Sequence, residues 1–182
     1  VTTHQLRRAA TLVALVAVAG VPAPGQPVDD SRLKAAIVSK FPDFVQWPAA
    51  AVPSDGPLVL CLSEGGAIER HLRDVVAGIS IHDRPVAVHV LTSVADVARC
   101  HLLFISTASR LDATALLQAS ADLPILTVAD NPALVERGVI LTLRPVDGRL
   151  RFDADLDAAE RAGLRLRSQF LRLAVDVRGG HQ

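Results

Sequence analysis

Two polar runs carry the residues most able to do chemistry. They are Ser63-Glu64-Gly65-Gly66, and Ser106-Thr107 taken with Asp130-Asn131; each begins where an apolar run ends. Glycines that open a helix let backbone N–H groups approach an anion, so the first run has the position of a phosphate cradle. Its chemistry is weak: neither the G-x-G-x-x-G nor the Walker spacing is present, and Glu64 repels a phosphate. With Ser106, Asp130 and Asn131 it outlines a small polar ligand crevice at the ends of strands. An active site needs more. Ser106 does not sit in G-x-S-x-G and no His follows it in position to act as base, so no catalytic residue is expected. Asp130-Asn131-Pro132 reads more simply as a cap and turn before a short helix. His71, His82, His89 and His101 fall on separate segments without zinc-ligand spacing, which argues against a metal. Nothing points to a cofactor. Arg161, Arg165 and Arg172 alternate with apolar residues and read as a solvated face.

The 182 residues carry 19 basic and 19 acidic side chains, half of the chain is apolar, and the aromatics are Trp47 and five Phe. Balanced charge and scarce stacking groups disfavour nucleic acid as a partner. At the N-terminus Arg7-Arg8 precede an apolar run, Ala9 to Val21, and then a Pro/Gly stretch. That is a signal-peptide layout, with residues 1–19 removed, 20–28 as linker and 29–182 as one domain. A helix of that run would be about 20 Å long, short of the roughly 30 Å hydrocarbon core. Export places Cys61 and Cys100 in an oxidising compartment, where a lone pair is most simply one disulfide. The alternatives are two buried thiols or an intermolecular bridge.

The elements that must position these groups follow from periodicity. Leu33, Ile37, Phe41, Phe44 and Val45 recur at helical spacing between Asp29 and Trp47, with Pro42 expected to kink or split the helix and Pro48 to end it. Apolar runs at 58–62, 86–91, 101–105 and 125–128 then alternate with helical segments at 67–76, 93–98 and 110–119. This order predicts βαβ crossovers and a parallel sheet covered on both faces, an α/β three-layer Rossmann-like sandwich. Asp147-Gly148 between two apolar runs predicts a C-terminal antiparallel hairpin. Leu156, Ala159, Gly163, Leu166, Phe170, Leu173 and Val177 predict one long closing helix over 156–177. A second stripe, Leu164, Leu171 and Val175, makes its apolar surface wide enough to meet another chain, although wedging between sheet and first helix would also bury it.

Taken together, the residues resemble the YfiR family of exported proteins over nearly the whole mature chain. Phe41, Phe44, Trp47 and Pro48 stand in its F-x-x-F-x-x-W-P-like segment, Leu58–Leu62 in its Cys-bearing strand, and Cys100–Ser106 in its Cys-His-hydrophobic strand. Ile125–Asp130, Glu136-Arg137-Gly138 and Phe152–Leu164 correspond to its later strand, turn and closing segment. Pro42, Val139, Asp155 and Phe170 depart from the usual pattern. The resemblance implies that the two cysteine strands can be joined. It further implies a periplasmic, non-enzymatic repressor that docks on an inner-membrane diguanylate cyclase, lowers cyclic-di-GMP and so affects biofilm formation, with a sensor kinase as the other partner and a homodimer within reach. Excess apolar and aromatic residues at two helices nominate Phe44, Trp47, Phe170 and Leu171 as the partner-binding surface. A small-ligand sensor using Ser63, Glu64, Gly65, Ser106, Asp130 and Asn131 is the second expectation.

Overall fold

A computed structural model of the chain describes residues 30–51 and 56–180; the signal peptide and linker expected over residues 1–28 lie outside them. In chain order the elements are α1 (Asp30–Val38), a 3-10 turn (Phe41–Phe44), β1 (Val45–Gln46), β2 (Leu58–Leu62), α2 (Ala67–Val76), β3 (Ser80–Ile81) and β4 (Arg84–Val90). A 3-10 helix (Val94–Arg99), β5 (Leu102–Ile105), α3 (Ala113–Ser120), β6 (Leu126–Ala129), a 3-10 helix (Pro132–Arg137), β7 (Leu141–Val146) and β8 (Arg149–Asp155) follow. The chain closes through α4 (Leu156–Arg161), β9 (Arg165–Leu166), α5 (Ser168–Leu171) and β10 (Val177–Arg178).

Eight strands form one sheet in the order β10-β8-β7-β6-β5-β2-β4-β3. The pairs from β4 through β7 are parallel, β7 and β8 form the antiparallel hairpin, and β3 adds antiparallel to β4. This is the expected α/β sandwich with a mostly parallel sheet. Within it, β4-β2-β5-β6-β7 follows the 2-1-3-4-5 order of doubly wound folds. Period-two alternation assigns each strand residue to a face. Leu58, Leu60, Leu62, Leu102, Phe104, Leu126 and Val128 face α1, α2 and α4, while Cys61, Leu103, Ile105 and Ala129 face α3 and the flanking 3-10 helices. The hairpin turn needs positive φ at both central positions, and Asp147 (50°) and Gly148 (71°) supply it.

Two helix predictions are corrected. The helix expected over Asp29–Trp47 ends at Val38. The Ser39-Lys40 turn and Pro42, which opens the 3-10 turn, then deliver Val45-Gln46 as a strand paired with Leu166-Arg165. The helix expected over 156–177 stops at Arg161. Gly163 adopts φ +69°, its N–H bonds to the Glu160 carbonyl at 2.9 Å, and the Leu164 N–H bonds to Ala159 at 2.8 Å. That bond pair is a Schellman stop, with Leu164 and Ala159 both in the core beneath it. Gly163 had matched the apolar stripe by spacing alone, but a residue without a side chain adds nothing to a stripe and ends a helix at low cost.

Candidate functional site

The 3-10 turn, β8 and α5 assemble an aromatic cluster. Phe41 lies edge-on to Phe152 and to Phe170, each at 5.4 Å, while Phe170 stacks on Phe152 at 4.5 Å and on Phe44 at 5.1 Å. Phe170 is only 2% exposed, so it is the floor of the surface rather than a contact on it. Above it opens a groove of about 310 Å³ walled by Ile37, Phe44, Leu150 and Leu173, with Lys40, Arg151 and Arg172 on its rim. Leu173 is 57% exposed, and Val175 and Val177 beyond it are 42% and 39% exposed. The loss of the predicted helix explains this: the chain leaves α5 in an irregular segment that carries Leu173 and Val175 outward, and Val177 follows on the edge strand β10. Leu171 is partly buried against the same core.

Trp47 is not part of that groove. It sits after β1 in a second cleft of about 320 Å³ with Pro48, Leu58, His82, Arg84 and Arg167. The His82 ring stands edge-on to the indole at 6.3 Å, and its Nε2 lies 3.1 Å from the Pro42 carbonyl. The Trp47 Nε1–H is shielded from water and has no hydrogen-bond partner among the described residues. The structure therefore brings Phe44 and Phe170 together, places Leu171 next to Phe170 on α5, and sets Trp47 apart.

The residues of the expected ligand crevice divide as well. Ser63, Glu64 and Gly65 line a cavity of about 530 Å³ beyond the ends of β2, β4 and β5, together with Val90, Leu91, Arg110 and Leu111. Ser106, Asp130 and Asn131 do not line it; they hold the loops that surround it. The Ser106 N–H donates to Ser63 Oγ at 2.9 Å, and Asn131 Oδ1 caps the following 3-10 helix by accepting from the Ala133 N–H at 3.0 Å. Asp130 accepts from the Thr107 N–H at 2.7 Å with one oxygen and from Lys34 Nζ at 2.7 Å with the other. Burial alone would lower the Lys34 pKa, but its bonds to Asp130 and Asp30 outweigh that and hold it above the ordinary value. Sequence reasoning missed Lys34; the only local signal is Asp30 four residues before it.

Cys61 on β2 and Cys100, just before β5, are joined in a disulfide with 5.7 Å between their Cα atoms. Beside it the His101 Nδ1 accepts from the Val59 N–H at 3.0 Å, which requires the unprotonated nitrogen. Burial, and then the charge of Arg84, push the His101 pKa below its ordinary value. Among the described residues no group of three His, Cys, Asp or Glu side chains could hold a metal, and no helix is long and apolar enough to cross a membrane.

The family model described as YfiR/HmsC-like matches residues 31–175. The chain belongs to the YfiR/HmsC-like family. The match spans both cores, the disulfide, the aromatic groove and the crevice. No curated protein matches the sequence. Among solved structures, this YfiR/HmsC-like chain is similar to a conserved domain protein from Vibrio cholerae O1 biovar El Tor. They share 14% identity over 82% of this chain and 60% of that one, with a TM-score of 0.47. It is also similar to an ABC domain in complex with L-Trp from Streptococcus pneumoniae, at 9% identity over 79% and 61% of the two chains, with a TM-score of 0.44. The chain thus spans about three fifths of the length of each of these structures.

Proposed function

We propose that this chain is a periplasmic regulator without catalytic activity. It docks on the periplasmic part of an inner-membrane signalling protein, a diguanylate cyclase in the first instance, and restrains cyclic-di-GMP synthesis and with it biofilm formation. The single observation that carries the reading is membership of the YfiR/HmsC-like family over residues 31–175. The docking surface is the aromatic groove, with Phe44 in its wall, together with its exposed flank, Leu173 and Val175, and the partly buried Leu171. An apolar groove beside a run of exposed aliphatic side chains is the composition of a protein-binding patch. Phe170 serves it from beneath by fixing the Phe44 ring. Trp47, in its own cleft, belongs to a second contact. A regulator of this kind needs only to bind the inactive state of its partner more tightly than the active one; the difference in affinity sets how far the equilibrium moves.

The test is complementation in the organism of origin. Deleting the gene raises cellular cyclic-di-GMP, measured by mass spectrometry, and export of the wild-type chain brings it down again. Leu173→Asp, at a solvent-exposed position, folds normally and fails to do so. Unchanged cyclic-di-GMP on deletion removes the cyclase reading. A sensor histidine kinase is then the partner to examine.

A further inference from the structure

The cavity at the ends of β2, β4 and β5 sits where the sheet changes direction. After β2 the chain crosses to β4 on one side of it and then returns to β5 on the other. Loops at such a switch point part and leave a crevice, the usual ligand side of an open α/β sheet. At about 530 Å³ it falls within the size range of small-molecule sites.

Its charges are of both signs and neither is used by the fold. Glu64 has an oxygen, Oε2, shielded from water with no hydrogen-bond partner among the described residues. Leaving a carboxylate oxygen unmatched is costly, and a ligand cation would offset that cost. Arg110, on the opposite loop, is exposed and forms no ion pair among the described residues. The ten-residue helix α2 opens at Gly66 without a side-chain cap, so its first N–H groups add to the positive end. A Cβ on Gly65 would stand 2.8 Å from Glu69 Oε2 and 3.7 Å from the Val90 methyls, so a side chain there would push the Glu69 carboxylate aside. Ser63 Oγ accepts from the Ser106 N–H, and Ser109 Oγ donates to the Ser63 carbonyl. Val90, Leu91 and Leu111 supply apolar walls between the charged ends.

We propose that this crevice binds a small zwitterion, with its ammonium on Glu64, its oxyanion on Arg110 and the α2 N-terminus, and a short apolar body against Val90 and Leu111. Glu64 excludes nucleotides and free phosphate by repulsion, and Arg110 disfavours a simple amine. The site is separate from the aromatic groove, so it stands or falls independently of the docking partner.

Calorimetry on the oxidised chain tests it, with each of the twenty L-amino acids and O-phosphoethanolamine as zwitterions bearing a carboxylate or a phosphate, and with isoamylamine and isovalerate as the separated charges. At least one zwitterion binds, and isoamylamine and isovalerate bind at least tenfold more weakly. Glu64→Gln and Arg110→Gln each weaken the zwitterion tenfold or more while leaving the ligand-free melting temperature unchanged or higher. Leu111→Trp, which fills the crevice, abolishes binding and serves as a second block should either charge variant fold poorly. Three results overturn the proposal: no zwitterion binds, isovalerate or isoamylamine binds as tightly as the best zwitterion, or binding survives all three substitutions. Which headgroup prevails, carboxylate or phosphate, identifies the source as free amino acid or lipid-derived amine.

Discussion

Asp130 spends both of its carboxylate oxygens inside the fold, one on the Thr107 N–H and one on Lys34, and thereby ties α1 to the loops after β5 and β6. Its side chain is 6% exposed and that of Lys34 is 18% exposed, so removing one partner strands the other with little water. Asp130→Ala is expected to cost about 2–3 kcal/mol in denaturant-unfolding free energy, a partly buried pair losing less than a fully buried one. A loss under 0.5 kcal/mol would show that Asp30 alone satisfies Lys34. In sequence the same Asp130 reads as a crevice residue, because nothing local reveals a lysine 96 positions away. His101 carries the second residue-scale prediction. Its folded pKa lies below the ordinary 6.5 through burial and then Arg84. As pH falls through that ordinary value, the unfolded chain gains a proton that the folded chain does not. The stability contributed by neutral His101 is therefore complete above it and is lost progressively below it. Melting temperature should fall between pH 7.5 and pH 5, and the slope should be shallower in His101→Asn, whose amide oxygen can still accept from Val59. Equal slopes in the two proteins would remove His101 as the cause.

At the scale of elements, Gly163 decides how the chain ends. A side chain at φ +69° is strained, and a Cβ would meet Pro48 Cγ at 3.4 Å, so Gly163→Ala is expected to destabilise by about 1–2 kcal/mol. A fitted unfolding curve checks this, and an unchanged midpoint would mean that the turn relaxes freely. The reason reaches beyond the turn. If the helix continued past Arg161, Arg165-Leu166 could not pair with Val45-Gln46, and the Leu173–Val177 segment would not stand out from the core. The central strands were legible as continuous apolar runs, Leu58–Leu62 and Leu102–Ile105, but a run that is apolar throughout does not say which side chains take which face. The hairpin was legible too, from Asp147-Gly148. The two-residue strands β1, β3, β9 and β10 were not. A pair of residues has no period to read, and each becomes a strand only because a partner lies alongside.

Over the whole molecule, the Cys61–Cys100 disulfide closes a loop of separation 39 that holds α2, β3 and β4. The chain-entropy relation puts its contribution at roughly 4 kcal/mol. Reduction, or Cys61→Ser with Cys100→Ser, is expected to lower the melting temperature by roughly 10 °C without changing the far-ultraviolet circular dichroism at 20 °C. A shift under about 3 °C would place the stability elsewhere, in the two cores that the sheet separates. Sequence alone determined the class of fold, the closing hairpin and the family. These follow from short-range periodicity, turn chemistry and the order of motifs, which are properties of neighbouring residues. Only the tertiary structure decided that Phe170 lies beneath the groove, that Trp47 occupies a different cleft, and that Asp130 is a clamp while Glu64 and Arg110 line one crevice. Each of those depends on which distant segment fills the space beside a side chain, and that space is created by packing.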